Sequence, residues 1–113
     1  PDDNGKTFRN LLTDAIESDS PFIQIATWND WGEGTSIEPS LEFGNRDLRA
    51  IQDLRRDLID SDFPHKARSL DLPFKLLELR RKARISSSKL DSISKLIAEG
   101  DTEKASKKIS DLS

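Results

Sequence analysis

The chain has 113 residues, 34 % hydrophobic and 35 % charged, with 18 basic side chains against 21 acidic ones. That length allows one domain at most, or a piece of one, and the apolar share is low for a chain that must bury its own core. The mixed charge argues against a polybasic nucleic-acid binder, and the absence of cysteine removes disulfides and thiolate chemistry. One histidine cannot build a His-rich metal site, and no apolar run approaches the roughly 18 residues that a membrane span needs. No signal peptide is visible.

The sequence starts at Pro1 and contains no methionine, so it reads as a C-terminal fragment of something longer. It divides in two. Residues 1–64 carry 6 basic and 14 acidic side chains, and residues 65–113 carry 12 and 7. Both tryptophans and every phenylalanine lie at or before Phe74. The first part is aromatic and acidic; the second is aliphatic, basic and serine-rich. A boundary near Phe63–Pro64 fits, because proline disfavours helix at the residue before it.

In chain order, Thr7–Ser18 reads as a helix. Phe8, Leu11, Leu12, Ala15 and Ile16 fall on one face, and Asn4 or Gly5 opens it. Phe22–Trp28 is a short apolar, β-rich run, expected as a strand buried on both faces, as in a parallel sheet. Asn29–Leu41, with two glycines and a proline, reads as a loop. Asn45 is the expected cap of a second helix whose apolar stripe is Leu48, Ile51, Leu54 and Leu58. Helix, buried strand, loop and helix in that order belong to an α/β protein.

The remainder reads as helical. Asp71 is the expected cap of a helix with Pro73 early and Phe74, Leu77 and Ala83 inward. Ser86–Ser88 starts another, with Leu90, Ile93 and Ile97 inward and Gly100 as its stop. Thr102 restarts a helix through Ala105, Ile109 and Leu112, completing an αα-hairpin, with no tandem period. His65 reads as a surface residue in a linker, and Arg80-Arg81-Lys82-Ala83-Arg84 as a solvated helix end that favours the helix dipole.

The segment from Trp28 to Pro39 carries the chemistry. It follows the carboxyl end of the expected strand, which is where parallel α/β proteins place active sites. Three acids lie within nine residues, Asp30, Glu33 and Glu38, beside Trp28 and Trp31. Tryptophan faces stack on sugar rings and exclude water. Breaking a glycosidic bond needs two carboxyl groups in different protonation states, and Asp30 and Glu33 are the candidate pair. Apolar surroundings favour the neutral form of a carboxyl, and neighbouring carboxyls resist ionising together. The bland reading is that Asp30 makes a turn, Glu33 is solvated and the tryptophans are core.

The stretch Ile25-Ala26-Thr27-Trp28-Asn29-Asp30-Trp31-Gly32-Glu33-Gly34-Thr35 resembles the final barrel strand and loop of glycoside hydrolase families 71 and 99. The closer resemblance is to bacterial family 71/99-like proteins, through Ile37-Glu38-Pro39 and Glu42-Phe43-Gly44, with Asp3-Asn4-Gly5-Lys6-Thr7-Phe8 fitting the start of the preceding helix. It runs from about Asp3 to Leu58. A second resemblance is to WbsX-type proteins of bacterial polysaccharide clusters, often labelled glycosyltransferases. They share a Trp-Asn-Glu-Trp-x-Glu-Gly loop ending in Leu-Glu-Pro, whereas Asp30, Thr35 and Ile37 here favour the hydrolase-like group.

The resemblance implies a (β/α)8 barrel acting on polysaccharides or glycans. Of its eight strands this chain supplies one, with the flanking helices, in residues 1–64; residues 65–113 form a helical extension, and the isolated chain is expected to be mostly α. Family 71 cleaves α-1,3-glucan with inversion; family 99 comprises retaining endo-α-mannosidases and α-mannanases that use the substrate's own 2-hydroxyl. Both carry two acids three residues apart here, which implies Glu33 as general acid and Asp30 as base. Asp30 agrees with family 71, and Gly34 departs from the serine common there. Trp28, Asn29, Trp31 and Glu38 are implied as substrate-binding, with Asn29, Trp31 and Glu38 either touching the substrate or supporting the residues that do. No cofactor or metal is expected. The implied partners are a carbohydrate substrate and the remaining barrel segments of a parent chain, with neither nucleic acid nor membrane. Secretion or a periplasmic location follows from the family analogy alone. The fragment by itself is expected to be inactive. The competing readings are a noncatalytic helical interaction module and a barrel relative that binds glycans without cutting them.

Overall fold

The computed structural model describes residues 3–82 and 84–113. The chain divides between Pro64 and His65 into two compact units. The described residues are mostly helical, with five α-helices and no strand among them.

In the first unit, a 3-10 turn (Asp3–Gly5) leads into α1 (Lys6–Glu17). Gly5 caps α1 in the left-handed region at φ 85°. The positive φ is what favours glycine here; a Cβ would stand 2.8 Å from Arg46 Nε and would push that side chain aside. α1 ends where the Ser18 amide returns to Asp14 O at 3.0 Å and the Ser18 hydroxyl donates to Ala15 O at 2.6 Å. α2 (Arg46–Leu58) packs against α1, with Leu12, Ala50 and Leu54 as the buried apolar residues of the pair. Arg9 and Asp53 bridge the two helices at 3.3 Å. Arg46 lies over the Phe43 ring, 4.1 Å from its centroid, and pairs with Asp47 at 3.0 Å, which orders the start of α2.

Both helices match their sequence spans to within a residue, but their stripes are narrower than expected. Leu11 is 65 % exposed and Leu58 43 %, while Leu48 and Ile51 are half-buried. Two helices bury one shared seam, and the outer positions of a broad apolar stripe are left over. Asn45 occupies the cap position of α2 but makes no side-chain capping bond; its backbone (φ −93°, ψ 17°) is not the extended one that aims a side chain at the first turn.

The expected strand over Phe22–Trp28 does not form. Residues 22–27 have no regular structure, and Phe22 is 90 % exposed. A strand exists only by pairing; the backbone bonds of this run are confined to Thr27 and Trp28, which bond to the loop that follows, and residues 22–26 have no backbone partner among the described residues. Among the described residues the one isolated β-bridge is antiparallel and lies further on, Ser40 with Gly44.

The second unit has its own core. A 3-10 turn (Ala67–Asp71) precedes α3 (Leu72–Arg81), followed by α4 (Ser87–Ala98) and α5 (Thr102–Leu112). All three helices contact one another. Leu72, Leu76, Leu79, Leu90, Ile93, Ala105 and Ile109 form one buried cluster, with Ile85, Leu96, Ile97 and Leu112 packed at its edge. The turn between α4 and α5 is a Schellman motif: the Gly100 amide donates to Ile97 O at 3.1 Å and the Asp101 amide to Leu96 O at 2.9 Å. Gly100 takes φ 83°, and Asp101 then caps α5 by accepting from the Lys104 amide at 3.2 Å.

α3 corrects two expectations. Its inward face is Leu72, Leu76 and Leu79, not Phe74 and Leu77, which are 46 % and 43 % exposed; Ala83 lies outside the described residues. Pro73 does sit in the first turn, but Asp71 makes no capping bond, its backbone being already helical (φ −83°, ψ −15°). His65 lies in irregular backbone at the boundary between the two units, as a linker residue does, but it is partly buried rather than fully exposed. Its imidazole Cε1 lies 3.7 Å from where a Cβ on Gly100 would stand. Arg80 reaches Asp91 on α4 at 2.7 Å.

Candidate functional site

The segment from Thr27 to Glu38 folds back on itself through its own backbone. The Thr27 amide donates to Thr35 O at 3.1 Å, the Thr35 amide to Asp30 O at 3.2 Å, and the Ile37 and Glu38 amides converge on Trp28 O at 3.0 and 2.8 Å. The two threonine hydroxyls meet at 3.3 Å, and Thr27 Oγ1 accepts the Asp30 amide at 2.9 Å. Thr27 and Thr35 thus clasp the two ends of the turn that carries the acids. The sequence reading gave neither a role; their symmetric placement about the acidic centre was the available signal.

Within the turn, Asp30 Oδ1 accepts the Glu33 amide at 3.0 Å, a side-chain turn of the kind aspartate favours. The two acids are therefore coupled: the side chain of one holds the backbone of the other. The turn-making that was the bland reading of Asp30 is real. It engages one carboxylate oxygen in that bond. The Glu33 carboxylate has no hydrogen-bond or ion-pair partner among the described residues and faces solvent. Gly34 continues the turn at φ 70°, its amide 3.3 Å from Trp31 O.

Trp28 and Trp31 are 49 % and 52 % exposed, so neither is a core residue. The Trp31 indole N–H donates to Glu38 Oε2 at 3.2 Å, and the Trp31 amide to Asn29 O at 3.0 Å. The structure thus gathers Trp28, Asn29, Asp30, Trp31, Glu33 and Glu38 into one folded loop. That loop can present two aromatic faces and two outward carboxyl groups to a polar ring-shaped ligand. No group of three or more candidate metal ligands occurs among the described residues. No described helix is long and apolar enough to cross a membrane. Grooves of about 410 and 370 Å³ lie between α3 and α5 and between α3 and α4, and none of the sequence-derived site residues lines them.

With this geometry in view, comparison with known proteins points to one class, a glycan-related family. The family model described as glycosyltransferase WbsX matches residues 2–51, which take in α1, the whole acidic loop and the start of α2. This is the second of the two resemblances drawn from the sequence, and nothing found supports families 71 and 99 specifically. No curated protein and no solved structure matches the chain.

Proposed function

We propose that this chain is part of a carbohydrate-active enzyme that cleaves glycosidic bonds, with Asp30 and Glu33 as its carboxylate pair. The observation that carries the reading is the coupled turn, in which Asp30 Oδ1 holds the Glu33 amide at 3.0 Å in a loop that also carries two half-exposed tryptophans. Glu33, exposed and without a side-chain partner among the described residues, is the general acid that gives a proton to the leaving glycosidic oxygen. Asp30 is the base that takes one from water or from a substrate hydroxyl. Trp28 and Trp31 stack on the sugar, and Asn29 lends polar contacts.

The exposed run Phe22, Ile23 and Ile25 supports the further reading that this unit completes a (β/α)8 barrel with strands supplied by other segments of a parent protein. Those side chains are 90 %, 40 % and 37 % exposed; in a barrel, flanking strands would satisfy the backbone of the run, and the barrel interior and the outer helices would cover its two faces. In this reading the chain alone is inactive.

The match to the glycosyltransferase WbsX model favours a second reading, in which the same acids serve sugar transfer rather than hydrolysis. Product analysis of the barrel-complete protein separates the two. Hydrolysis releases a new reducing end from a glycan with water alone, while transfer needs an activated sugar donor. Asp30→Asn and Glu33→Gln should each lower turnover by about 10²–10⁴-fold in either case. Full activity in both variants would overturn the assignment of the acids.

A further inference from the structure

Glu38 stands apart from the other acids of the loop because its carboxylate is engaged by a side chain, the Trp31 indole, while its backbone is held as well. Its amide donates to Trp28 O at 2.8 Å, and its Oε2 accepts the Trp31 indole N–H at 3.2 Å. Pro39 follows it and restricts its backbone to extended conformations. One residue therefore ties together the two tryptophans that bracket Asp30. An exposed indole with no partner at its N–H turns freely about two side-chain torsions. Held at Nε1 by an anchored carboxylate, the ring presents one fixed face.

We infer that Glu38 is a positioning residue that fixes the Trp31 ring as a stacking surface for a sugar beside Asp30 and Glu33. The inference rests on the carbohydrate reading above and gives Glu38 one role within it, orientation of Trp31 rather than contact with the substrate. The requirement is a hydrogen-bond acceptor at the right reach, not a negative charge. Glutamine meets it through its amide oxygen, and alanine does not.

The test uses the full 113-residue chain, the Trp31 indole N–H resonance in ¹⁵N NMR, and the variants Glu38→Gln and Glu38→Ala, with Trp28→Phe to assign the signal. In Glu38→Ala the Trp31 N–H should exchange with solvent about two- to tenfold faster, as loss of one exposed hydrogen bond entails. Glu38→Gln should restore it. Titration with α-linked gluco- and manno-oligosaccharides should then perturb Trp31 in the parent chain and in Glu38→Gln, and more weakly in Glu38→Ala. An unchanged Trp31 N–H in Glu38→Ala overturns the positioning role. So does loss of oligosaccharide response in Glu38→Gln with Trp31 unmoved, which would make Glu38 a direct sugar contact. A Trp31 signal that depends on Glu38 while no oligosaccharide perturbs it shows the tie but overturns the sugar-stacking role of Trp31, whereas the carbohydrate reading itself falls only if Asp30→Asn and Glu33→Gln leave the turnover of the barrel-complete protein unchanged.

Discussion

At the scale of single residues, short polar side chains do different work according to the backbone beneath them. Asp101 caps α5 and Asp30 closes the acidic turn, whereas Asn45 and Asp71 occupy cap positions without a capping bond. Composition names candidates, but the local φ and ψ decide whether the oxygen reaches an amide. The Asp30 geometry separates its two roles by mutation. Asp30→Asn keeps an oxygen for the Glu33 amide and removes the charge; Asp30→Ala removes both. Tryptophan fluorescence of the loop should therefore stay near the parent's in Asp30→Asn and shift in Asp30→Ala. Gly100 offers a second test. At φ 83° a Cβ would meet only ordinary contacts with His65, at 3.7 and 3.8 Å, so the cost of Gly100→Ala is backbone strain. Chemical denaturation should show a loss of about 1–2 kcal/mol.

At the scale of elements, the decisive question is which apolar stripe a helix buries. The segment Leu72-Pro73-Phe74-Lys75-Leu76-Leu77-Glu78-Leu79 carries two overlapping stripes, and periodicity cannot choose between them. Packing chooses Leu72, Leu76 and Leu79, because these three reach Ile93 and Ile109 in one cluster. Truncation reads the choice directly. Leu76→Ala removes a residue 7 % exposed and should destabilise by about 2–4 kcal/mol, while Leu77→Ala, at 43 % exposure, should cost well under half of that in the same denaturation experiment. Where a helix carries one stripe, the sequence suffices: Leu90 and Ile93 are buried in α4, Ala105 and Ile109 in α5, and Gly100 ends the first of these helices. Phe22–Trp28 was illegible for the opposite reason. A helix satisfies its backbone within itself, but a strand is a property of its neighbours, and a β-rich run cannot say whether they are present. The acidic loop was legible as a cluster of residue types. The threonine clasp and the tie from Glu38 to Trp31 depend on how the chain doubles back, which spacing alone does not give.

At the scale of the whole molecule, apolar burial is uneven. Among the described residues, Leu12, Ala50 and Leu54 are the buried hydrophobics before Pro64, against seven after it. A fully buried aliphatic side chain contributes about 1.5–3 kcal/mol, so the second unit holds roughly two to three times the hydrophobic stabilisation of the first in a shorter length. The first unit meanwhile leaves Leu11, Phe22, Leu41 and Ile59 at 65 %, 90 %, 109 % and 65 % exposure. Such a surface is stable only when covered, by a partner or by other copies of itself. The two units should therefore part company when separated. A chain of residues 65–113 should keep its helical circular dichroism and unfold cooperatively. Its midpoint should be modest, because a core of this size is near the lower limit for independent folding. Residues 3–64 should instead self-associate with rising concentration, read by light scattering, and Phe22→Lys with Ile25→Lys should suppress that association without altering α1 or α2. If residues 3–64 stay monomeric and fold cooperatively, the exposed run needs no cover, and the proposal that it belongs to the sheet of a larger barrel loses its main physical support.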